Sequence, residues 1–171
     1  MLANNDLTHG TKTNNILEEQ IYINMYNLLN QYKTYWDNCS VILIEKQMGF
    51  GAGKQNIMAI KLAQHCYSYF MFMYGNSKTI IEYPATKKTQ ILGAPKKFGT
   101  ITKFFKNGKS KDIQDNRKKW SVRTALAILQ QRNDTDSYNK LTEDHVYKQQ
   151  QDDIADCLLM NQAYCFEKFV L

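Results

Sequence analysis

From residue 17 onward, Leu17, Ile21, Met25, Leu28, Leu29 and Tyr32 recur three or four positions apart, which predicts an amphipathic helix reaching to about Trp36. Asn14 or Asn15 can cap it, and Glu18 and Glu19 fill a first turn where carboxylates meet the positive end of the helix. Residues 1–15 hold Asn, Thr and Gly with little to bury, so an irregular segment is expected there. The period then changes. Val41-Ile42-Leu43-Ile44 is a continuous apolar run of β-branched character, which predicts a central strand covered on both faces, and it ends in Glu45. Residues 55–73 return to a helical pattern through Ile57, Ile60, Leu62, Ala63 and Tyr67, and Thr79-Ile80-Ile81-Glu82-Tyr83 predicts a second strand stopped by Pro84. Strand, helix and strand in this order read as a βαβ unit with parallel strands. Further helices are expected near 86–92 and 115–132, and a last one over 152–169, where Asp152 and Asp153 suit the N-terminal end.

Composition narrows the picture. The chain has 171 residues, 43% of them apolar, with 11 Tyr and 8 Phe, enough for a single domain over residues 16–171. No apolar run approaches the roughly 18 residues a membrane span requires, and the first residues lack the basic-then-apolar layout of a signal peptide. A soluble, intracellular protein without a membrane partner is expected. Cys39, Cys66, Cys157 and Cys165 are scattered without paired spacing, so buried free thiols are expected rather than disulfides or a zinc site. His9, His65 and His145 are given no metal role.

The net charge of +6 is unevenly spread: twelve Lys or Arg stand against two acids between Lys87 and Arg123, leaving about −4 elsewhere. A basic stretch beside a separate acidic cluster suits an enzyme that attracts phosphates and holds a metal over them. A solvated face kept for solubility has the same composition.

Three segments could carry chemistry. Gly49-Phe50-Gly51-Ala52-Gly53-Lys54 looks like a phosphate-binding loop, but Met48 stands where the first Gly is required and Gln55 where Ser or Thr is required. It reads instead as a flexible loop beside a site. Glu45 ends a buried strand, the place where open parallel sheets bind ligands, although a strand simply meeting solvent would look alike. Asp153 and Asp156 are three apart on one helix face, and two like charges there repel unless a cation lies between them. An ordinary acidic first turn is the alternative.

Taken in order, these segments resemble the RNase H superfamily and, within it, RuvC-like Holliday junction resolvases of the poxvirus type found in large DNA viruses. Val41-Ile42-Leu43-Ile44-Glu45-Lys46-Gln47 resembles that family's second catalytic motif and Asp152-Asp153-Ile154-Ala155-Asp156-Cys157-Leu158 its last. Glu82-Tyr83-Pro84-Ala85 through Lys88 to Gly93 looks like the segment that sets a lysine over the scissile phosphate, and Asn116-Arg117-Lys118-Lys119-Trp120 like the basic start of the following helix. The resemblance covers residues 16–170. It implies an α/β fold with an RNase H-like mixed sheet flanked by helices and a basic insertion over about 86–132. It also implies Glu45, Asp153 and Asp156 as ligands of Mg2+, with Mn2+ able to substitute. Lys88 becomes a phosphate or transition-state contact that Lys87 can exchange with, and the implied activity is metal-dependent cleavage of four-way DNA junctions. Lys96, Lys97, Lys118, Lys119 and Arg123 are expected to contact the DNA backbone, and paired incisions imply a symmetric homodimer. If the protein is viral, its place is the host-cell site of viral DNA replication.

The family's N-terminal antiparallel strands, the first of which carries an Asp, have no counterpart before Ile16. Asp6 follows no apolar strand. A truncated product or loss of those strands is therefore expected, with a non-catalytic DNA-binding module or another nuclease of the superfamily as the competing outcomes.

Overall fold

The computed structural model describes residues 6–8, 17–47, 57–104, 110–143 and 150–170, with Lys103 and Phe104 described by their backbone alone. The helix caps expected at Asn14 or Asn15 and the glycine-rich loop 49–54 lie outside the described residues. The fold is mixed α/β, and the chain divides into two compact units, Asn5–Ala85 and Thr86–Leu171.

In the first unit, α1 (Glu19–Gln31) and the short α2 (Lys33–Asp37) precede β1 (Val41–Lys46), α3 (Ile57–Tyr74) and β2 (Thr79–Pro84). The expected βαβ unit is present: β1 and β2 pair in parallel, Ile42 opposite Ile80 and Glu45 opposite Tyr83. Its helix is α3, whose buried Tyr69, Phe70 and Tyr74 meet Leu29, Ile42 and Ile44 in one core, with Trp36 edge-on to Phe70 at 5.3 Å. Aromatic side chains bury large apolar areas, but their polar ends need partners. Tyr69 donates to Asn30 Oδ1 (2.9 Å), Tyr74 to Asp37 Oδ1 (2.8 Å) and Trp36 to the Leu29 carbonyl (2.9 Å). The expected coverage of β1 on both faces is only partly realised, because Ile42 and Ile44 are buried while Val41 and Leu43 are half-buried. Among the described residues β1 pairs with β2 alone.

In the second unit, α4 (Ala85–Ile91) leads to a hairpin of β3 (Thr100–Phe104) and β4 (Ser110–Gln114), then α5 (Arg117–Gln131), α6 (Thr135–Glu143) and α7 (Gln151–Phe169). Gly93, at φ +72°, takes the left-handed conformation that ends α4 without steric penalty. Asn116 caps α5 by accepting from the Lys119 N–H (3.0 Å). Trp120 and Ala125 of α5 pack on Ala155 and Leu159 of α7, and Leu129, Leu141 and Ile154 continue that core under α6. Polar pairs near both ends of the packed helices, Lys118 with Asp152 and Arg132 with Gln162, place α5 and α7 side by side in the same direction.

The hairpin and α6 go beyond the elements expected from the pattern. Both had local signals: the alternation Thr100-Ile101-Thr102 with Asn107-Gly108 between the strands, and Asp134, whose carboxylate accepts from the Ser137 N–H (3.1 Å) at the start of α6. Cys39, Cys66, Cys157 and Cys165 are free thiols, but Cys157 is exposed and the other three only half-buried. Helical position explains this, since Cys157 follows the buried Ile154 and Ala155 onto the opposite face of α7. Among the described residues no helix is long and apolar enough to cross a membrane.

Candidate functional site

All net charge belongs to the second unit. Residues 86–171 hold sixteen Lys or Arg and ten Asp or Glu, a balance of +6, whereas residues 5–85 hold six of each. Within this basic unit, three acids gather at the head of α7.

Asp156 is half-buried, and its Oδ2 meets the Lys88 ammonium at 2.5 Å. Lys88 is 3% exposed; a lysine is rarely so deep unless its charge is paired. Its neighbour Lys87 takes the opposite direction to Glu167 Oε1, also at 2.5 Å. Asp156 and Glu167 are about 16 Å apart along the axis of α7, so the two consecutive lysines cannot serve one spot. The resemblance made them interchangeable; the structure separates them. Among the described residues, the buried Asp156 Oδ1 has no hydrogen-bond partner, and neither has the buried Ser121 hydroxyl on α5. Such an oxygen forfeits about 1–3 kcal/mol unless a donor or cation reaches it.

One turn earlier, Asp152 pairs with Lys118. The hydrogen bond from Lys118 holds the Asp152 carboxyl below the usual carboxylate range, outweighing the opposing effect of burial. In return Asp152 raises Lys118, with Asp153 and Asp156 adding to the same field. Asp153 itself is exposed. The acids at 152, 153 and 156 thus form one electrostatic group, to which Lys88 and Lys118 supply counter-charges.

Glu45 belongs to the first unit, exposed at the carboxyl end of β1 as expected. Glu82, within β2, accepts from Gln64 Nε2 at 3.0 Å. Within neither unit do three or more His, Cys, Asp or Glu side chains gather closely enough to hold a metal ion, among the described residues.

The expected backbone contacts differ in availability. Lys96 and Lys97 are exposed between α4 and β3. Lys118 is exposed although paired, and Lys119 is half-buried and donates to the Gln114 carbonyl. Arg123 clamps Asp115 through both oxygens, at 2.9 and 2.8 Å. That guanidinium holds the nearly buried Asp115 carboxyl low, and Asp115 raises Arg123 in turn. The clamp was not visible in the sequence, because its partners are eight positions apart with a helix start between them.

The fold and site define a mixed α/β protein in which an acidic helix start is set within a basic unit. Over 142 residues the chain is 37% identical to "Uncharacterized protein 170L" of Invertebrate iridescent virus 6, a match covering 80% of this chain and 54% of that protein. It is 27% identical over 142 residues to "Uncharacterized protein 97L" of Invertebrate iridescent virus 3, covering 83% and 56%. The chain therefore spans about half the length of the curated relatives it matches. No known family profile matches it, nor does any solved structure.

Proposed function

We propose that this chain is the greater part of an RNase H-like, magnesium-dependent endonuclease that resolves four-way DNA junctions. The observation that carries the reading is the head of α7, where Asp152, Asp153 and Asp156 concentrate negative charge inside the unit that bears the whole net positive charge. Basic surface attracts the phosphate backbone. Acids amid that surface oppose backbone binding unless they hold a cation.

The donor atoms are of the kind a hard divalent ion takes, although fewer than three such side chains gather at one point among the described residues of this unit. Carboxylate oxygens are that ion's preferred ligands, and Asp156 Oδ1 is a buried oxygen without a partner among the described residues. Asp153 and Asp156 are the residues of this unit that would hold magnesium, with Glu45 given the same role by the resemblance alone; when bound, the ion would activate water and stabilise the leaving oxygen of a phosphodiester. Lys88 fixes Asp156 by its other oxygen. The same ammonium supplies positive charge beside the acids, the kind of charge that stabilises a phosphate as it gains charge. Lys118 positions Asp152. Two symmetric incisions require two active sites, so the working form is a homodimer; α3, with Phe72 89% exposed, supports an interface on the first unit.

Magnesium-dependent nicking of a four-way junction, compared with a matched linear duplex, tests this reading. Symmetric nicks confined to the junction are expected, with Glu45→Gln and Asp153→Asn each abolishing cleavage while junction binding persists. Loss of binding in both variants would refute the metal-site assignment, and equal treatment of junction and duplex would refute the resolvase reading. One observation favours a second reading, a DNA-binding module without chemistry: the Lys88 ammonium already neutralises Asp156. Junction-selective binding without nicking is its signature.

A further inference from the structure

The β3–β4 hairpin has one apolar pair, Ile101 opposite Ile113. Both are half-buried, while Thr100, Thr102, Asp112 and Gln114 are exposed. An isolated two-stranded hairpin is marginal in water and needs a partner for its apolar face. Here its base is tied down: the Asp115 N–H donates to the Gly99 carbonyl at 2.8 Å, and Gln114 Nε2 donates to the carbonyls of Phe98 and Gly99 at 2.9 and 3.1 Å. The apolar face, by contrast, is incompletely covered. Between it and the first turns of α5 and α7 lies a groove of about 660 Å³, within the size range of small-ligand sites.

The lining of this groove is mixed. Ile101, Ile113 and Val122 give it apolar surface, and Lys118, Lys119 and Arg123 give it cations, beside Asp152 and the neutral polar Thr102, Asn116 and Gln151. Lys118 and Arg123 already face carboxylates, Asp152 and Asp115. Lys119 donates to the Gln114 carbonyl and also lies in the field of Asp115. Three cations against Asp152 in the lining and Asp115 beside it leave the groove net positive, which together with its apolar surface suits a ligand that is apolar on its faces and anionic at one end.

The geometry points to a binding cleft for an unpaired nucleotide of single-stranded nucleic acid, its base against Ile101, Ile113 and Val122 and its phosphate at Lys119, with Lys118 and Arg123 beside it. Paired bases in a duplex present no free face to such a surface, whereas an unstacked base binds apolar and aromatic surfaces with little regard to sequence. The inference rests on the nucleic-acid reading above for the identity of the ligand, but not on the metal site.

The test is the anisotropy of a labelled oligo-dT and of a duplex of equal length, each titrated with the full chain in EDTA. Oligo-dT is expected to bind at least about tenfold tighter than the duplex. Val122→Asp, which sets a carboxylate on that apolar surface, and Lys119→Gln should each weaken oligo-dT binding by about tenfold. Lys140→Gln, remote in sequence on α6, should change it less than about twofold. Should Val122→Asp fail to fold, Lys119→Gln and the preference for oligo-dT still decide the matter. Equal affinity for duplex and oligo-dT, or a Lys119→Gln variant that binds oligo-dT like the parent, overturns the cleft. Junction nicking with no oligo-dT preference would sink the cleft alone, and oligo-dT preference without nicking would uphold it while sinking the nuclease.

Discussion

Two adjacent lysines in α4 have different fates, and the difference makes a measurable prediction. Lys88 is enclosed with Asp156, whereas Lys87 reaches Glu167 from a half-exposed position. Replacing Lys88 by Met removes the directly bonded counter-charge of Asp156 and leaves it only the field of Lys118. Loss of one partner of a fully buried pair costs about 3–5 kcal/mol, but Asp156 is 32% exposed and water screens it. Lys88→Met is therefore expected to lower stability by about 1–2 kcal/mol in urea melts. The double variant with Asp156→Asn should recover much of that loss; no recovery would mean that packing of the lysine stem, not the ion pair, is what stabilises this point. From sequence, Lys88 was the expected contact, with Lys87 close enough to exchange with it. Which one turned inward depended on where α7 lay.

At the scale of elements, the turn joining α2 to β1 and the turn joining α3 to β2 are held together by Asp37, Tyr74, Lys33 and Lys78. Lys78 donates to the carbonyls of Asp37 and Cys39 at 2.9 and 2.7 Å, and Lys33 donates to the Asp37 carboxylate at 2.8 and 2.9 Å. The Asp37 carboxyl is held low, chiefly by Lys33 and then by Tyr74. Burial, with Asp37 adding to it, pushes the Tyr74 hydroxyl up to about 12. The signs follow by linkage. The Asp37 contribution is fully present above the ordinary carboxylate range and is lost as pH falls through the depressed value. The Tyr74 contribution is fully present below the ordinary tyrosine value of about 10 and is lost as pH rises toward 12. Melting temperature followed against pH should fall at both extremes, and Asp37→Asn should flatten the acid limb. An unchanged acid limb in that variant would remove Asp37 from the account. Helical periodicity and the apolar run of β1 made these elements legible, because burial of one face repeats locally along the chain. The hairpin was harder to read: its strands carry a single apolar pair, too few for a strong period.

For the whole molecule, charge is the dominant asymmetry, with +6 on residues 86–171 and none on residues 5–85. Nucleic-acid affinity should therefore fall steeply with salt, by a log–log slope of about −0.9 for each phosphate neutralised on B-DNA. The double variant Lys96→Gln with Lys97→Gln should reduce the magnitude of that slope by about two, since each lysine accounts for roughly one contact. A slope unchanged from the parent would remove that loop from the interface.

Local repetition and local chemistry determined what was readable from sequence alone: the periods of α1, α3, α5 and α7, the parallel βαβ unit, Glu45 at a strand end, and the concentration of basic residues after Lys87. Each depends on residues within a few positions of one another. Tertiary packing decided the rest. It enclosed Lys88 rather than Lys87, set Lys118 against Asp152, closed Arg123 on Asp115, and left a groove under the hairpin. Those outcomes join residues 8 to 80 positions apart. Side-chain type cannot specify such pairs until the core has brought their elements together.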